Sequence, residues 1–221
     1  MSDFASARRH MVDGQVRTSD VTDLAVIDAM LAVPRENFVP TERRPMAYLD
    51  LEIEVSDVGQ PARRIPTPML VGRLLQAAAI RPGESVLVAG CATGYSVALA
   101  ARLTPHVTGL EPDAQLADQC RKNLNGSSYE SCTIVTGPIA SGAAGGGPYD
   151  VILLDGATEI ELPDLYRQLK AGGRLVGVFM SPHGRRAEIV THTHNDFGRR
   201  CLFDASAPLL PGLEKRPAFV F

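Results

Sequence analysis

A turn of small residues is the part of this sequence whose residue types and spacing could do chemistry. Residues 90–94 read Gly-Cys-Ala-Thr-Gly and follow an apolar segment at 85–90. Glu111 ends the next apolar segment, seventeen residues beyond Gly94. A glycine turn lets the backbone approach a ligand closely, and a carboxylate after the second strand can accept both ribose hydroxyls. The spacing therefore favours a nucleoside-binding βαβ unit over a purely structural turn.

Further candidates come from the ends of the other predicted strands. Ligands of an open parallel sheet bind beyond the carboxyl ends of its strands, so residues after successive strands converge on one site. The turn has Gly-x-Ala-x-Gly spacing, as S-adenosylmethionine enzymes do, whereas a dinucleotide site would read Gly-x-Gly-x-x-Gly. The predicted cofactor-binding residues are Ala89, Gly90, Cys91, Ala92, Gly94, Tyr95, Glu111, Pro112, Gly137, Pro138 and Asp155.

Other kinds of chemistry have weaker support. His192 and His194 would face one side of a strand, but two ligands without a third make a poor metal site, so we predict no metal. No nucleophile elbow is present, since Ala92 stands where the nucleophile would be. Cys91 lies near a predicted helix N-terminus, which could lower its thiol pKa, although we favour a buried small residue there. A dehydrogenase is disfavoured because Ala92 interrupts the dinucleotide fingerprint.

Length and composition indicate an ordinary globular protein. The 221 residues, 45% of them hydrophobic, predict one domain, with a cap and substrate-loop region at 1–80 and a core at 81–221. The net charge of -3 argues against a nucleic-acid partner, and arginine pairs such as Arg63-Arg64 are expected on the solvated surface. The apolar segments are too short to predict a membrane span, and no signal peptide is visible. Four cysteines without CxxC spacing are typical of free thiols in a cytoplasmic protein.

The hydrophobic pattern alternates strands and helices from residue 85 onward. It predicts an α/β fold with a mostly parallel sheet covered on both faces, preceded by a helical region at 5–33 that is capped at Ser19-Asp20. The segment 34–68 reads as irregular, and a helix begins at Pro68. The predicted strands lie near 85–90, 106–111, 132–136, 149–155, 173–179, 188–193 and 217–221. The predicted helices of this region lie near 94–103, 113–124 and 162–170.

Several segments resemble the protein-L-isoaspartate O-methyltransferase family. Residues 30–40, Met-Leu-Ala-Val-Pro-Arg-Glu-Asn-Phe-Val-Pro, are similar to A-M-x-x-V-P-R-E-x-F-V-P of that family, and residues 47–50, Ala-Tyr-Leu-Asp, to its A-Y-x-D. Residues 148–152 and 168–176 match its fourth and fifth strand regions, and Met-Val-Asp-Gly-Gln at 11–15 resembles a divergent bacterial branch. The resemblance covers nearly the whole chain. It implies a Rossmann-like class I methyltransferase fold with an N-terminal helical cap, S-adenosylmethionine as methyl donor, and a protein or peptide substrate.

The sequence departs from the family pattern around the implied donor site. Members usually read V-L-E-I-G-T-G-S-G-Y at the first strand, whereas this chain has Val88 at the acidic position and Ala92 at the middle glycine. Loss of one charge-assisted hydrogen bond to the donor would cost about 1.5–3 kcal/mol, or about ten- to hundredfold in affinity. The family's G-D-G is Gly137-Pro138-Ile139 here, and Pro138 has no N–H to donate.

The implied substrate loop departs further. The family's T-I-S-Q-P is Arg64-Ile65-Pro66-Thr67-Pro68 in this chain, so Pro66 stands where the family has the Ser that is held to contact the isoaspartyl carboxylate. Pro66 and Thr67 are therefore the catalytic-loop candidates. Arg63 or Arg64 could attract a carboxylate, but a surface position is equally consistent with the sequence.

Two functional hypotheses remain open at this level. The first is a methyltransferase that acts on an isoaspartyl carboxylate in protein. The second is a divergent member that methylates another substrate or serves as a non-catalytic binding module. Pro66 and Val88 favour the second, whereas Gly90, Gly94 and Glu111 favour a working nucleoside pocket. A carboxylate acceptor needs no general base, so the lack of an obvious base is consistent with the first.

Overall fold

A seven-stranded sheet with helices on both faces forms the body of the protein. The computed structural model describes residues 3–57, 62–125, 129, 131–181, 184–194 and 196–215. Within these residues, no helix is long and apolar enough to cross a bilayer.

The helices differ in length and are joined by tighter helical turns. They are α1 (Phe4–Met11), α2 (Leu24–Ala32), α3 (Pro68–Ala78), α4 (Tyr95–Ala101), α5 (Ala114–Leu124) and α6 (Pro163–Tyr166). A π-helical turn spans Val12–Val16, and 3-10 turns span Arg17–Ser19, Arg35–Phe38, Thr41–Met46, Ile139–Ser141 and Ala144–Gly146.

Nine strands make up the two sheets of the described chain. They are β1 (Ile53–Glu54), β2 (Arg64–Ile65), β3 (Ser85–Ala89), β4 (His106–Glu111), β5 (Thr133–Thr136), β6 (Tyr149–Thr158), β7 (Leu169–Ser181), β8 (Gly184–His192) and β9 (Phe197–Asp204). β1 and β2 form a small antiparallel pair. The large sheet has the order β5-β4-β3-β6-β7-β8-β9, parallel from β5 to β7 and antiparallel for the last two strands.

The sheet topology fixes where a ligand can bind. β3 pairs with β4 on one side and with β6 on the other, so the strand order reverses at β3. The crevice beyond the carboxyl ends of the strands at such a reversal is the usual ligand site of an open α/β sheet. The ends of β3, β4 and β6 therefore meet where the sequence predicts the nucleoside site.

Both faces of the central strands are buried. Along β3, Val86 and Val88 face one apolar cluster, which includes residues of α2, α3 and α4, whereas Leu87 and Ala89 face a second cluster that includes residues of α6. Successive side chains of a strand point to opposite faces, so an uninterrupted apolar run needs cover on both. The predicted α/β fold with a mostly parallel, doubly covered sheet is confirmed.

The N-terminal region is helical as predicted, but its internal break differs from the prediction. Asp20 has a left-handed φ of 63°, so the chain leaves the helical turn there. The N-cap of α2 is Asp23, whose carboxylate accepts hydrogen bonds from the N–H groups of Ala25 and Val26. The predicted cap at Ser19-Asp20 is therefore wrong by three residues.

The β-rich half shows two further differences from the prediction, in the helix at 162–170 and at β9. The predicted helix at 162–170 is only α6, because β7 begins already at Leu169. The predicted strand at 188–193 corresponds to β8, and β9 was not predicted, since its residues are mostly exposed at the sheet edge and lack a strong apolar alternation. The predicted strand at 217–221 lies outside the described residues. The other strands of the large sheet agree with the prediction to within a few residues.

Candidate functional site

The turn after β3 has the backbone of a close-approach loop. Gly90, Ala92 and Gly94 all have left-handed φ values, of 79°, 47° and 98°. The N–H groups of Gly90 and Cys91 both donate to the carbonyl of Leu110, at 2.8 and 3.1 Å, which ties the turn to the end of β4. α4 begins directly after Gly94. Ala92 adopts the left-handed conformation although it lacks the conformational freedom of glycine. An alanine at this position is therefore compatible with the turn.

Glu111 at the end of β4 is joined to this turn by its side chain. The residue is fully buried, and its Oε2 accepts a hydrogen bond from the N–H of Ala92 at 2.6 Å. The other oxygen, Oε1, lies 3.4 Å from the N–H of Asp113. The structure thus brings together the turn and the carboxylate that the sequence nominated.

Arg63 is a residue of the site that sequence reasoning misplaced. Its side chain is buried, its Nη2 donates to the carbonyl of Gly90, and the same nitrogen lies 3.4 Å from Oε2 of Glu111. Arg64, its neighbour, is half exposed and pairs with Glu54 at 3.6 Å. The predicted surface position is therefore wrong for Arg63 and correct for Arg64. Arg63 lies 48 residues from Glu111 in sequence, and no local pattern announces their contact.

Leu210 also enters the site, from the far end of the chain. The N–H of Ala157 donates to the carbonyl of Pro208 at 2.7 Å, and the N–H of Leu210 donates to the carbonyl of Ala157 at 2.9 Å. These bonds bring Leu210 over the turn: a Cβ on Gly90 would lie 2.5 Å from Cδ2 of Leu210, and one on Gly156 would lie 2.7 Å from it.

Asp155 near the end of β6 completes the set of buried charges. Ser96 Oγ donates to its Oδ1 at 2.7 Å. Burial raises the pKa of the Asp155 carboxyl to about 6, although the hydrogen bond from Ser96 and the positive charges of Arg63 and Arg35 oppose the rise. Two arginines and two carboxylates therefore share this edge of the sheet.

Arg35 links the site to the N-terminal region. Its guanidinium is fully buried, lies 4.7 Å from the centre of the Tyr95 ring, and donates through Nη2 to the carbonyl of Pro66 at 2.8 Å. Burial lowers the pKa of the Arg35 guanidinium. Thr67 is used by the helix that follows, because its Oγ1 accepts from the N–H of Leu70 at 3.3 Å and caps α3. Arg35 and the cap thus fix the backbone of the Pro66-Thr67 loop.

A cavity of about 310 Å³ lies beyond the ends of β4 and β5. The N–H of Gly137 donates to the carbonyl of Glu111 at 3.1 Å, so the cavity adjoins the carboxylate through the backbone. At Gly137 a Cβ would meet nothing closer than 3.8 Å, so the space above it is open. Three of the predicted residues are among its lining residues, Pro112, Gly137, Pro138, Ile139, Ala140, Pro211 and Gly212.

Cys91 is buried and faces Cys120 of α5. A hydrogen bond with Cys120 and burial raise the pKa of the Cys91 thiol well above its usual value. The alternative of a thiolate activated by the helix N-terminus is therefore wrong. Cys91 serves instead as a small buried residue of the turn, as the sequence favoured.

The residues present suit an adenosyl ligand in kind. A buried carboxylate can accept ribose hydroxyls, left-handed glycines admit close approach, and the cavity beside Gly137 is apolar enough for a flat ring. In this conformation, however, Arg63 and Leu210 fill the space beside Gly90. The residues of the site therefore fit S-adenosylmethionine in their chemistry, and the space around them is closed by Arg63 and Leu210 in this conformation.

Comparisons with known proteins agree on one family. The family model for "Protein-L-isoaspartate(D-aspartate) O-methyltransferase (PCMT)" matches residues 6–196. A protein-L-isoaspartate O-methyltransferase of Koribacter versatilis is 35% identical over 219 residues, which cover 99% of this chain and 97% of the relative. One of Methylorubrum extorquens is 36% identical over 96% of this chain and 91% of the relative.

Solved structures show the same fold. A protein-L-isoaspartate O-methyltransferase matches with a TM-score of 0.81 at 21% identity, covering 93% of this chain and 66% of its own. A beta-aspartate methyltransferase of Plasmodium falciparum, solved with S-adenosyl-L-homocysteine, matches with a TM-score of 0.77 at 18% identity, covering 95% of this chain and 99% of its own. The implied Rossmann-like class I methyltransferase fold is confirmed. With the family model spanning most of the chain and relatives above 30% identity along nearly all of it, the chain belongs to the protein-L-isoaspartate(D-aspartate) O-methyltransferase family.

Proposed function

We propose that this protein transfers the methyl group of S-adenosylmethionine to an isoaspartyl carboxylate in a protein or peptide. The observation that carries the proposal is the contact between the turn after β3 and the buried carboxylate of Glu111, at the reversal of the strand order. Family membership supports the same reaction.

The donor would be held by the predicted residues at the strand ends. Glu111 would accept the ribose hydroxyls, the backbone of the turn from Gly90 to Gly94 would lie along the amino-acid part, and Gly137 with Pro138 would border the adenine. Asp155 lies on the opposite side of β3 from Glu111. When bound, S-adenosylmethionine supplies an electrophilic methyl group on a sulfonium. The family usually has an acidic residue at the position of the uncharged Val88, so the backbone of the turn would contribute a larger share of donor binding in this protein.

The acceptor side would depend on positioning rather than on proton transfer. An ionised carboxylate is itself the nucleophile, so the protein has to align it and exclude water. The oxygen of the Thr67 hydroxyl accepts the capping hydrogen bond of α3, which holds this side chain against the start of the helix. We therefore assign to Pro66 and Thr67 the role of shaping the loop, with Arg35 holding the Pro66 carbonyl at 2.8 Å.

The alternatives are not favoured. Relatives that carry the isoaspartate name are similar along nearly the whole chain, which argues against a decayed binding module. A dehydrogenase is inconsistent with the family. A cytoplasmic location is part of the proposal, supported by the free state of all four cysteines.

The test is a titration followed by a transfer assay. Calorimetry with S-adenosylmethionine and S-adenosylhomocysteine should show binding, and labelled methyl should then appear on an isoaspartyl peptide. The matched control is the same peptide with an ordinary aspartyl residue, which should stay unlabelled. A folded protein that binds neither compound up to millimolar concentration would refute the proposal.

A further inference from the structure

We infer that Arg63 and Leu210 occupy space that the donor would enter, so that donor binding displaces these two side chains. The inference rests on the proposed function, because it concerns the space that the donor would enter. It makes Arg63 a determinant of donor affinity rather than a surface charge.

The first step of the argument is that Arg63 and a ribose would compete for the same acceptor. Oε2 of Glu111 already accepts from the N–H of Ala92 at 2.6 Å, and Nη2 of Arg63 lies 3.4 Å from that oxygen. The ion pair is almost completely shielded from solvent, with side-chain exposures of 5% for Arg63 and 0% for Glu111. A ribose hydroxyl cannot bond to Oε2 while the guanidinium of Arg63 lies against this oxygen.

The second step concerns the volume beside the turn. A ligand that approaches the backbone of Gly90 uses the space that a Cβ would fill on any other residue. That space lies 2.5 Å from Cδ2 of Leu210 and 3.0 Å from Nη2 of Arg63. The space that a Cβ would fill on Gly156 of β6 also lies close to Cδ2 of Leu210, at 2.7 Å. Two side chains that are distant in sequence thus close one pocket.

The third step is that this closed state can be displaced. Nε of Arg63 is buried without a hydrogen-bond partner among the described residues, so the guanidinium is incompletely satisfied. The attraction within a buried ion pair is largely offset by the desolvation of its two charges. The closed state is therefore favoured only modestly. The observed donor affinity equals the intrinsic affinity multiplied by the fraction of protein whose pocket is open.

The experiment measures S-adenosylhomocysteine binding by calorimetry in Arg63→Met, with Arg17→Met as the matched control. Arg17 also forms an ion pair, with Asp13 at 3.1 Å, but it is exposed and lies in the N-terminal helical region. If the open pocket is populated at about 10%, Arg63→Met should bind about tenfold more tightly than the wild type. Arg17→Met should bind as the wild type does. Unchanged or weaker binding by Arg63→Met would overturn the inference.

A second variant keeps the test decisive if Arg63→Met does not fold. Leu210→Ala removes the apolar side chain from the space beside Gly90 and leaves the Arg63–Glu111 pair in place. This variant too should bind S-adenosylhomocysteine more tightly than the wild type. Weaker or equal binding by this variant would contradict the inference. Failure of the inference is distinct from failure of the proposed function: in the first case the wild type binds and the variants gain nothing, and in the second neither the wild type nor the variants bind.

Discussion

The buried carboxyl of Asp155 makes the stability of this protein dependent on pH in a direction that can be worked out. Its pKa is about 6 in the folded protein against an ordinary value of 3.8, because burial penalises the charged form. Between these two pH values the folded state binds more protons than the unfolded state, so the free energy of unfolding falls as the pH rises. Above about pH 6 no further stability is lost, and the total decrease in the free energy of unfolding is roughly 3 kcal/mol.

The perturbation that exposes this effect is Asp155→Asn. The amide keeps an oxygen that can accept the hydrogen bond from Ser96 Oγ, which in the wild type lies 2.7 Å from Oδ1 of Asp155. The amide cannot ionise. The variant should therefore match the wild type near pH 4 and exceed its free energy of unfolding by about 1.5–3 kcal/mol at pH 7.5. Asp118→Asn, at a side chain that is 66% exposed, serves as the control and should show no such pH-dependent gain.

Urea unfolding between pH 4 and 8, with m-values compared across the series, is the assay. The diagnostic quantity is the difference between variant and wild type as a function of pH. A difference that stays constant over this range, or a wild type that gains stability over the variant as the pH rises, would refute the reasoning. Either result would mean that Asp155 is ionised without penalty in the folded protein.

Three other variants test the site and its supports. Glu111→Gln should weaken S-adenosylhomocysteine binding about tenfold or more in a calorimetric titration, because it removes the charged acceptor; unchanged affinity would remove this residue from the site. Thr67→Ala should lower the free energy of unfolding by about 1 kcal/mol through loss of the α3 cap, seen as a lower urea midpoint at constant m-value. Gly94→Ala should lower it by more than about 1 kcal/mol, because φ is 98° and the new Cβ would lie 2.6 Å from Cys120 Sγ. Adding Cys120→Ala to that variant should restore part of the loss, whereas purely additive effects would show that the sulfur is not the obstacle.

The sequence was sufficient for those parts of the fold that depend on local patterns. The β3 turn and Glu111 follow one another within a single βαβ unit, so their spacing alone placed them side by side. Pro68 likewise marks the start of α3, since a first-turn proline is a local signal.

The parts that were missed depend on tertiary contacts. Arg63 sits in an arginine pair that reads as surface, and only the fold turns one member inward while leaving Arg64 half exposed. Leu210 reaches the turn through backbone bonds to Ala157, which no pattern near residue 210 encodes. β9 escaped prediction because an exposed edge strand lacks the apolar alternation on which such predictions depend.

Transfer of labelled methyl from S-adenosylmethionine to an isoaspartyl peptide is the measurement that tests the central claim most directly. The proposed function predicts label on the isoaspartyl peptide, none on its aspartyl isomer, and a strongly reduced rate in Glu111→Gln. Absence of label on the isoaspartyl peptide, with a folded wild type that binds S-adenosylhomocysteine, would contradict the assigned substrate and leave a methyltransferase site with a different acceptor.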